Sequence, residues 1–285
     1  MESIGKNVYI EDKYLGVTLG VISQPRGLVL IDAPPSPEDS RMWRAALMGM
    51  GNGPERALVN LDSHPDRTLG ARAMDCTVIA HEKTALAFRN RPNTFKAQGD
   101  ETGANWEAIP GLGSVRWAPP EISFVEQLSL HWGETPILLE SRPGPTRGAI
   151  WAILPNQKII FVGDAVLKGQ PPFLAHADLP AWIEALQLLQ SAYKGYTIVS
   201  GRGGVVTAQV VKHQTEVLKR MLDKLEKLGK KRSAIASADK LAEQMLKDLR
   251  APAARQKQYA QRLRYGIHHY YVRHYQASSR HVLDE

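Results

Sequence analysis

The chain has one cysteine, Cys76. That excludes an intrachain disulfide and a thiolate metal cluster. Cys76 opens the apolar run Cys76-Thr-Val-Ile-Ala80, where a thiol behaves as a small, inert, buried group. No apolar stretch of the sequence approaches the roughly 18 residues of a membrane span. Met1 to Asp12 carries charges in place of the apolar core of a signal peptide. A cytoplasmic protein with no membrane partner is therefore expected. There is no repeat of fixed period and no low-complexity tract, which excludes a solenoid.

What is present suits a globular protein: 43% hydrophobic and 23% charged residues, enough for one large domain with a small appendage. The charge is uneven. Residues 231–285 hold eleven Lys and Arg against five Asp and Glu, so they carry +6 of the chain's net +7. Residues 1–230 are close to neutral. This predicts a body over 1–230 and a basic helical extension over 231–285.

Along the body, short apolar runs alternate with turns. Leu15–Ile22 and Leu28–Ile31 read as strands joined through Pro25-Arg-Gly27. Ser36–Met50 reads as a helix, with Ser36 as cap and Pro37 in its first position. Strands are predicted over Ala57–Asn60, Cys76–Ala80, Ile122–Leu130, Thr135–Glu140, Ala149–Leu154, Lys158–Val162 and Thr197–Ser200. Helices are predicted from Gly70 and over Leu179–Ser191. Residues 91–115 suit a loop or short helix at a site mouth. The pattern is α/β, sheet with covering helices. In the last third, Val217 to Leu228 follow helical spacing and Gly229 is expected to end that helix. Leu241–Leu249 marks a second helix and Ala254–Tyr275 a third.

Five segments carry a resemblance. They are Gly27-Leu-Val-Leu-Ile-Asp-Ala33, Asn60-Leu-Asp-Ser-His-Pro-Asp-Arg-Thr-Leu-Gly70, Arg142-Pro-Gly-Pro-Thr-Arg-Gly-Ala-Ile150, Ile160-Phe-Val-Gly-Asp-Ala165 and Val199-Ser-Gly-Arg-Gly-Gly204. In order and spacing they resemble the metallo-β-lactamase superfamily over roughly residues 7–230. The resemblance implies a four-layer αβ/βα sandwich with a metal site at one edge of the two sheets, followed here by the C-terminal helical extension. It also implies where the metal ligands belong. The family's first histidine stands here as Asp62, its third as Arg67, its fourth as Pro145 and its fifth as Arg202. His64 keeps the second, and Asp66 and Asp164 keep the two aspartates.

In an intact site the metals act as Lewis acids and supply hydroxide near neutral pH. Proline has no side-chain donor atom, and arginine stays protonated. The expectation is a metal-free site in which Arg67 and Arg202 replace the ions as counter-charges to Asp62, Asp66 and Asp164. No cofactor is expected, and a binding, regulatory or scaffold role follows. The alternative is a hydrolase holding one divalent ion on Asp62, His64, Asp66 and Asp164. That set suits Mn or Mg better than Zn.

Other candidates are weaker. Arg67, Arg142, Lys168 and Arg202, with Arg147 nearby, could form an anion pocket. His81, His131 and His213 read as structural or surface histidines; His176 could face the pocket, while Asp178 beside it reads as a helix cap ahead of Pro180. Residues 256–275 interleave bases with aromatics, including Tyr259, Arg262, Arg264, Tyr265, His268, His269, Tyr270, Tyr271 and Arg273. That composition suits a helix docking through its tyrosines, in this chain or in a homo-oligomer. It also suits a nucleic-acid face, or one for another anionic ligand.

Overall fold

The computed structural model describes residues 1–51, 53–96, 102–230, 236–249 and 252–276. Among them, seven strands form a first sheet in chain order: β1 (Glu2–Gly5), β2 (Val8–Glu11), β3 (Leu19–Gln24), β4 (Gly27–Ile31), β5 (Glu55–Val59), β6 (Thr77–His81) and β7 (Ile122–Phe124). Strands β1 to β4 pair antiparallel, and β4 to β7 run parallel. The second sheet holds β8 (Gln127–Leu130), β9 (Ile137–Ser141), β10 (Ile150–Leu154), β11 (Ile159–Leu167), β12 (Thr197–Arg202) and β13 (Val205–Val206), in the order β13-β12-β11-β10-β9-β8. The helices are α1 (Pro37–Ala46), α2 (Pro65–Thr68), α3 (Ala71–Met74), α4 (Glu82–Arg89), α5 (Leu179–Gln190), α6 (Ala208–Lys230), α7 (Ala236–Asp248) and α8 (Gln256–Tyr271).

The central strands β4, β10 and β11 are buried on both faces because both faces are covered. In β4, Val29 and Ile31 point between the sheets, while Leu28 and Leu30 pack with Trp43 and Leu47 of the α1 region. In β11, Ile159 and Phe161 join the inter-sheet core, while Ile160 and Val162 lie against the helices of the second sheet. The result is the expected four-layer αβ/βα sandwich. The outer cluster of the second sheet gathers Leu186 from α5, Leu218 and Met221 from α6, Leu241 and Met245 from α7, and Leu263, Ile267, Tyr270 and Tyr271 from α8. The C-terminal helices thus share a core with the body. Residues 231–235, at the expected boundary, lie outside the described residues, as do Arg250 and Arg280 of the basic tail.

Several boundaries differ from expectation, each for a physical reason. The N-terminal β1–β2 hairpin was hidden by its charges, since only Val8 and Ile10 are fully inward. Leu15–Thr18 is loop, and β3 begins at Leu19. Helix α1 ends at Ala46, short of Met50. The expected strand Ile122–Leu130 is two strands in two sheets, with Val125 and Glu126 at the crossing. Strand β11 continues past Val162 to Leu167 because the register shifts at Gly163, whose φ is +57°. Gly229 does not end α6, which runs on to Lys230. A Cβ there would fall 2.3 Å from the Tyr275 ring, so this glycine permits close approach of the C-terminal segment.

Candidate functional site

The edge where β4, β5, β11 and β12 end collects the charged residues. Asp32 follows β4 and Asp62 follows β5. Ser63 and His64 lead into α2, whose first residue is Pro65. That single turn directs Asp66 and Arg67 inward, and Arg67 is completely buried. Asp164 lies on β11 just past the Gly163 bulge, and Arg202 closes β12.

Arg67 sits at the centre. Its Nη1 donates to Asp32 Oδ2 at 2.7 Å, and its Nη2 donates to Asp164 Oδ1. Its Nε lies 3.0 Å from Asp62 Oδ1, an ion pair without hydrogen-bond alignment. Arg202 grips Asp164 with two nitrogens, Nε to Oδ1 at 2.9 Å and Nη2 to Oδ2 at 3.0 Å. Its Nη1 donates to Asp66 Oδ2 at 2.7 Å. The other Asp66 oxygen accepts from the Trp106 backbone N–H at 2.6 Å, and Asp32 Oδ1 accepts from Leu61 N–H at 2.9 Å. His64 Nδ1 lies 3.0 Å from Asp62 Oδ2 and 3.2 Å from Asp164 Oδ2. Two glycines make room for this. A Cβ on Gly201 would come within 2.9 Å of both Arg67 Nη atoms and 2.7 Å of the Gly163 carbonyl carbon.

The electrostatics follow from the contacts. Burial alone would raise the Asp164 carboxyl, but Arg202, Arg67 and His64 outweigh it and hold it far below the usual range. Burial likewise opposes ionisation of Asp62, and Arg67 with His64 reverses that. Asp32 differs. Burial, with Asp62 close by, pushes it up to about 6, and Arg67 offsets only part of the rise. Arg67 and Arg202 are both held above their ordinary value by their carboxylates, against burial.

This donor set does not fit a two-metal centre. Of the five family histidine positions only His64 retains an imidazole, and its Nδ1 faces two carboxylate oxygens, the position of an N–H donor. Asp62, His64 and Asp164 could offer ligand atoms within 4.8 Å of one another. Both oxygens of Asp164, however, accept from guanidinium N–H groups.

The remaining candidates fall elsewhere. Pro145 is buried in the loop after β9 and offers no side-chain donor. Arg142 pairs with Glu140 and lies over the Trp151 ring. Lys168 is exposed beside Gly203, and Arg147 is exposed. Arg67, Arg142, Lys168 and Arg202 therefore do not converge, and the two that are adjacent are bound to carboxylates. His81 caps α4, its Nδ1 accepting from Lys83 N–H at 2.9 Å. Asp178 caps α5, accepting from Ala181 N–H at 3.1 Å. His131 and His213 are exposed. Cys76 is partly buried, and burial pushes its thiol up to about 11, away from reactivity.

A helix docked through its tyrosines and a nucleic-acid face would both turn Arg262 outward. The structure corrects this: Arg262 is 1% exposed. Its Nε donates to Gly103 O at 3.0 Å, its Nη1 to Gln170 Oε1 at 2.9 Å and its Nη2 to Asn105 Oδ1 at 2.9 Å. The signal was legible. Tyr259, Arg262, Leu263, Gly266, Ile267 and Tyr270 form one helical stripe, and Arg262 lies on it. Phe173 gave no such signal. Its ring lies between two guanidiniums, 4.4 Å from Arg202 Cζ and 4.0 Å from Arg262 Cζ. His64 packs on the same ring at 5.0 Å.

Two sheets back to back, flanked by helices, with acidic residues gathered at one edge, define a class of α/β sandwich. The chain belongs to the metallo-beta-lactamase superfamily, whose model matches residues 14–202. Among solved structures it is similar to the metallo-beta-lactamase from Pontibacter korlensis, with 22% identity over 76% of this chain and 97% of that one, at a TM-score of 0.60. The DIM-1 metallo-beta-lactamase is similar at 16% identity over 77% of this chain and 96% of its own, again with a TM-score of 0.60. At these identities the likeness is one of fold. A comparison with curated proteins found no significant match.

Proposed function

We propose that this chain is a binding member of its superfamily in which a buried ion network takes the place of the catalytic metals. The observation that carries the reading is Asp164. In the family this aspartate bridges two ions, and here its two oxygens accept from two guanidiniums. A guanidinium supplies charge and fixed donors, but it cannot lower the pKa of a bound water as a Lewis acid does. The edge keeps its charge balance and lacks the means to make hydroxide. A second reading, a single-metal hydrolase on Asp62, His64 and Asp164, is favoured by the proximity of those three side chains. Metal analysis of protein purified without chelator separates the two. The first reading expects well below one equivalent of Mn, Mg or Zn. About one equivalent, lost in Asp164→Ala together with hydrolysis of model esters, supports the second.

A docking role for the C-terminal helices draws support from Tyr270 and Tyr271, which are buried inside this chain. Their burial leaves Lys257, Arg264 and His269 as exposed basic groups of α8. Loss of the internal stripe weakens the case for nucleic acid. A flat response of RNA or DNA binding to salt would remove it.

A further inference from the structure

In front of the ion network lies a cavity of about 170 Å³. Its walls come from the His64 turn, from the loop around Trp106, from the segment around Phe173 and from α8, with Arg91 and Thr146 completing them. A cavity of about 150 Å³ accommodates a benzene ring, so this one has room for a small organic molecule.

The polar groups on its walls are under-used. Thr146 is buried, and its Oγ1 has no hydrogen-bond partner. Arg91 makes one hydrogen bond, from Nη1 to Ser63 O at 3.0 Å, and stacks over Phe88 and Trp117. Among the described residues no carboxylate pairs with it. His64 spends Nδ1 on Asp62 and Asp164, which leaves Nε2 without a partner among the described residues. A buried polar atom without a partner is costly, and Thr146 Oγ1 facing this cavity beside the partly exposed Arg91 guanidinium points to a polar group that belongs there. The acidic wall residue, Asp66, is already occupied by Arg202 and Trp106. Arg262 adds a second guanidinium bonded only to neutral oxygens. The Thr146 hydroxyl and the Arg91 guanidinium can both donate into the cavity, and with Arg262 beside them the local charge favours an anion. Phe173, Trp106, Ala104 and Leu174 supply an apolar lining beside them.

We propose that this cavity binds a small organic monocarboxylate, its carboxylate received by Arg91 and the Thr146 hydroxyl and its ring-sized apolar body held against Phe173 and Trp106. A guanidinium and a hydroxyl suit a planar carboxylate, which accepts at two oxygens. A bare inorganic anion would leave the apolar walls uncovered. The proposal rests on the binding-protein reading above, but the two fail in different ways. The reading fails on metal content. The proposal fails on ligand titration of protein already shown to be metal-free.

The test is calorimetric titration of the full chain with benzoate, benzyl alcohol and inorganic phosphate, in chelator-treated buffer and again with added Mn. Saturable benzoate binding at one site is expected, with benzyl alcohol and phosphate each weaker by roughly tenfold or more. Arg91→Met should weaken benzoate by a similar factor and leave benzyl alcohol unchanged. Thr146→Val, a near-isosteric change, gives the same direction with a smaller loss should Arg91→Met fold poorly. Equal binding of benzoate and benzyl alcohol, benzoate binding untouched by both variants, or binding seen only with Mn would each overturn the proposal. So would phosphate binding as tightly as benzoate, or no binding at all.

Discussion

Two pairs of arginines meet at this site, three of the four side chains fully buried and Arg91 partly so, and they are used differently. Arg67 and Arg202, at the back, make all their side-chain ion pairs with carboxylates, and Arg202 also rests on the Phe173 ring. Arg91 and Arg262, at the front, are held by backbone and amide oxygens and by aromatic rings. The electrostatic consequences are opposite. The back pair is raised above the ordinary arginine value, whereas burial lowers the front pair, Arg262 to about 10. The back pair is therefore structural counter-charge, and the front pair is charge still in search of a partner.

That contrast can be broken experimentally, beginning at the back. Arg67→Met leaves Asp32 without its cation and Asp62 with His64 alone, while Asp164 keeps Arg202. A loss of about 3–5 kcal/mol in urea-unfolding stability is expected, because removing one partner leaves uncompensated buried charge. A loss below about 1 kcal/mol would show that the network is not what balances the edge.

The pH dependence sharpens the same point. Asp62 and Asp164 have folded values below the ordinary 3.8. Their contribution is present above that pH and is lost as pH falls from there toward their lower folded values. Asp32 runs the other way. Its folded value is about 6, so its contribution is present below 3.8 and is lost as pH rises toward 6. Urea midpoints measured from pH 3 to 7 should show the Asp32 limb in full and only the onset of the acid limb. Asp32→Asn should remove only the upper one, and an unchanged slope between pH 4 and 6 in that variant would contradict the assignment.

At the front, Arg262→Met keeps the stem over Phe173 and removes bonds to neutral acceptors. It should cost less, about 1–3 kcal/mol. On the outer face of the same helix, Arg264 pairs with Glu243 at 3.3 Å with both side chains more than half exposed. Arg264→Ala should change stability by less than about 0.5 kcal/mol. A reversal of this order would mean that α8 is anchored from outside.

Much of the back was legible in sequence, because the superfamily's segment order fixes where Asp62, His64, Asp66, Arg67, Asp164 and Arg202 must fall. Five ordered segments place six side chains at one edge. Asp32 was visible as a family aspartate, but its bond to Arg67 was not. The front was not legible. Its residues come from the end of α4, the Trp106 loop, the Phe173 segment and α8, far apart in sequence and joined only by packing. The strand boundaries that were misread share a cause. At Gly163 the strand bulges and continues, at Val125 the chain passes from one sheet to the other, and periodicity alone registers neither event.

The most direct test is a crystal structure from protein soaked with Mn and, separately, Zn, with anomalous scattering recorded for each. The account predicts no anomalous peak between Asp62, His64 and Asp164, with Arg67 and Arg202 nitrogens within hydrogen-bond distance of both Asp164 oxygens. A well-occupied ion on those three side chains, with the arginines turned aside, would contradict it.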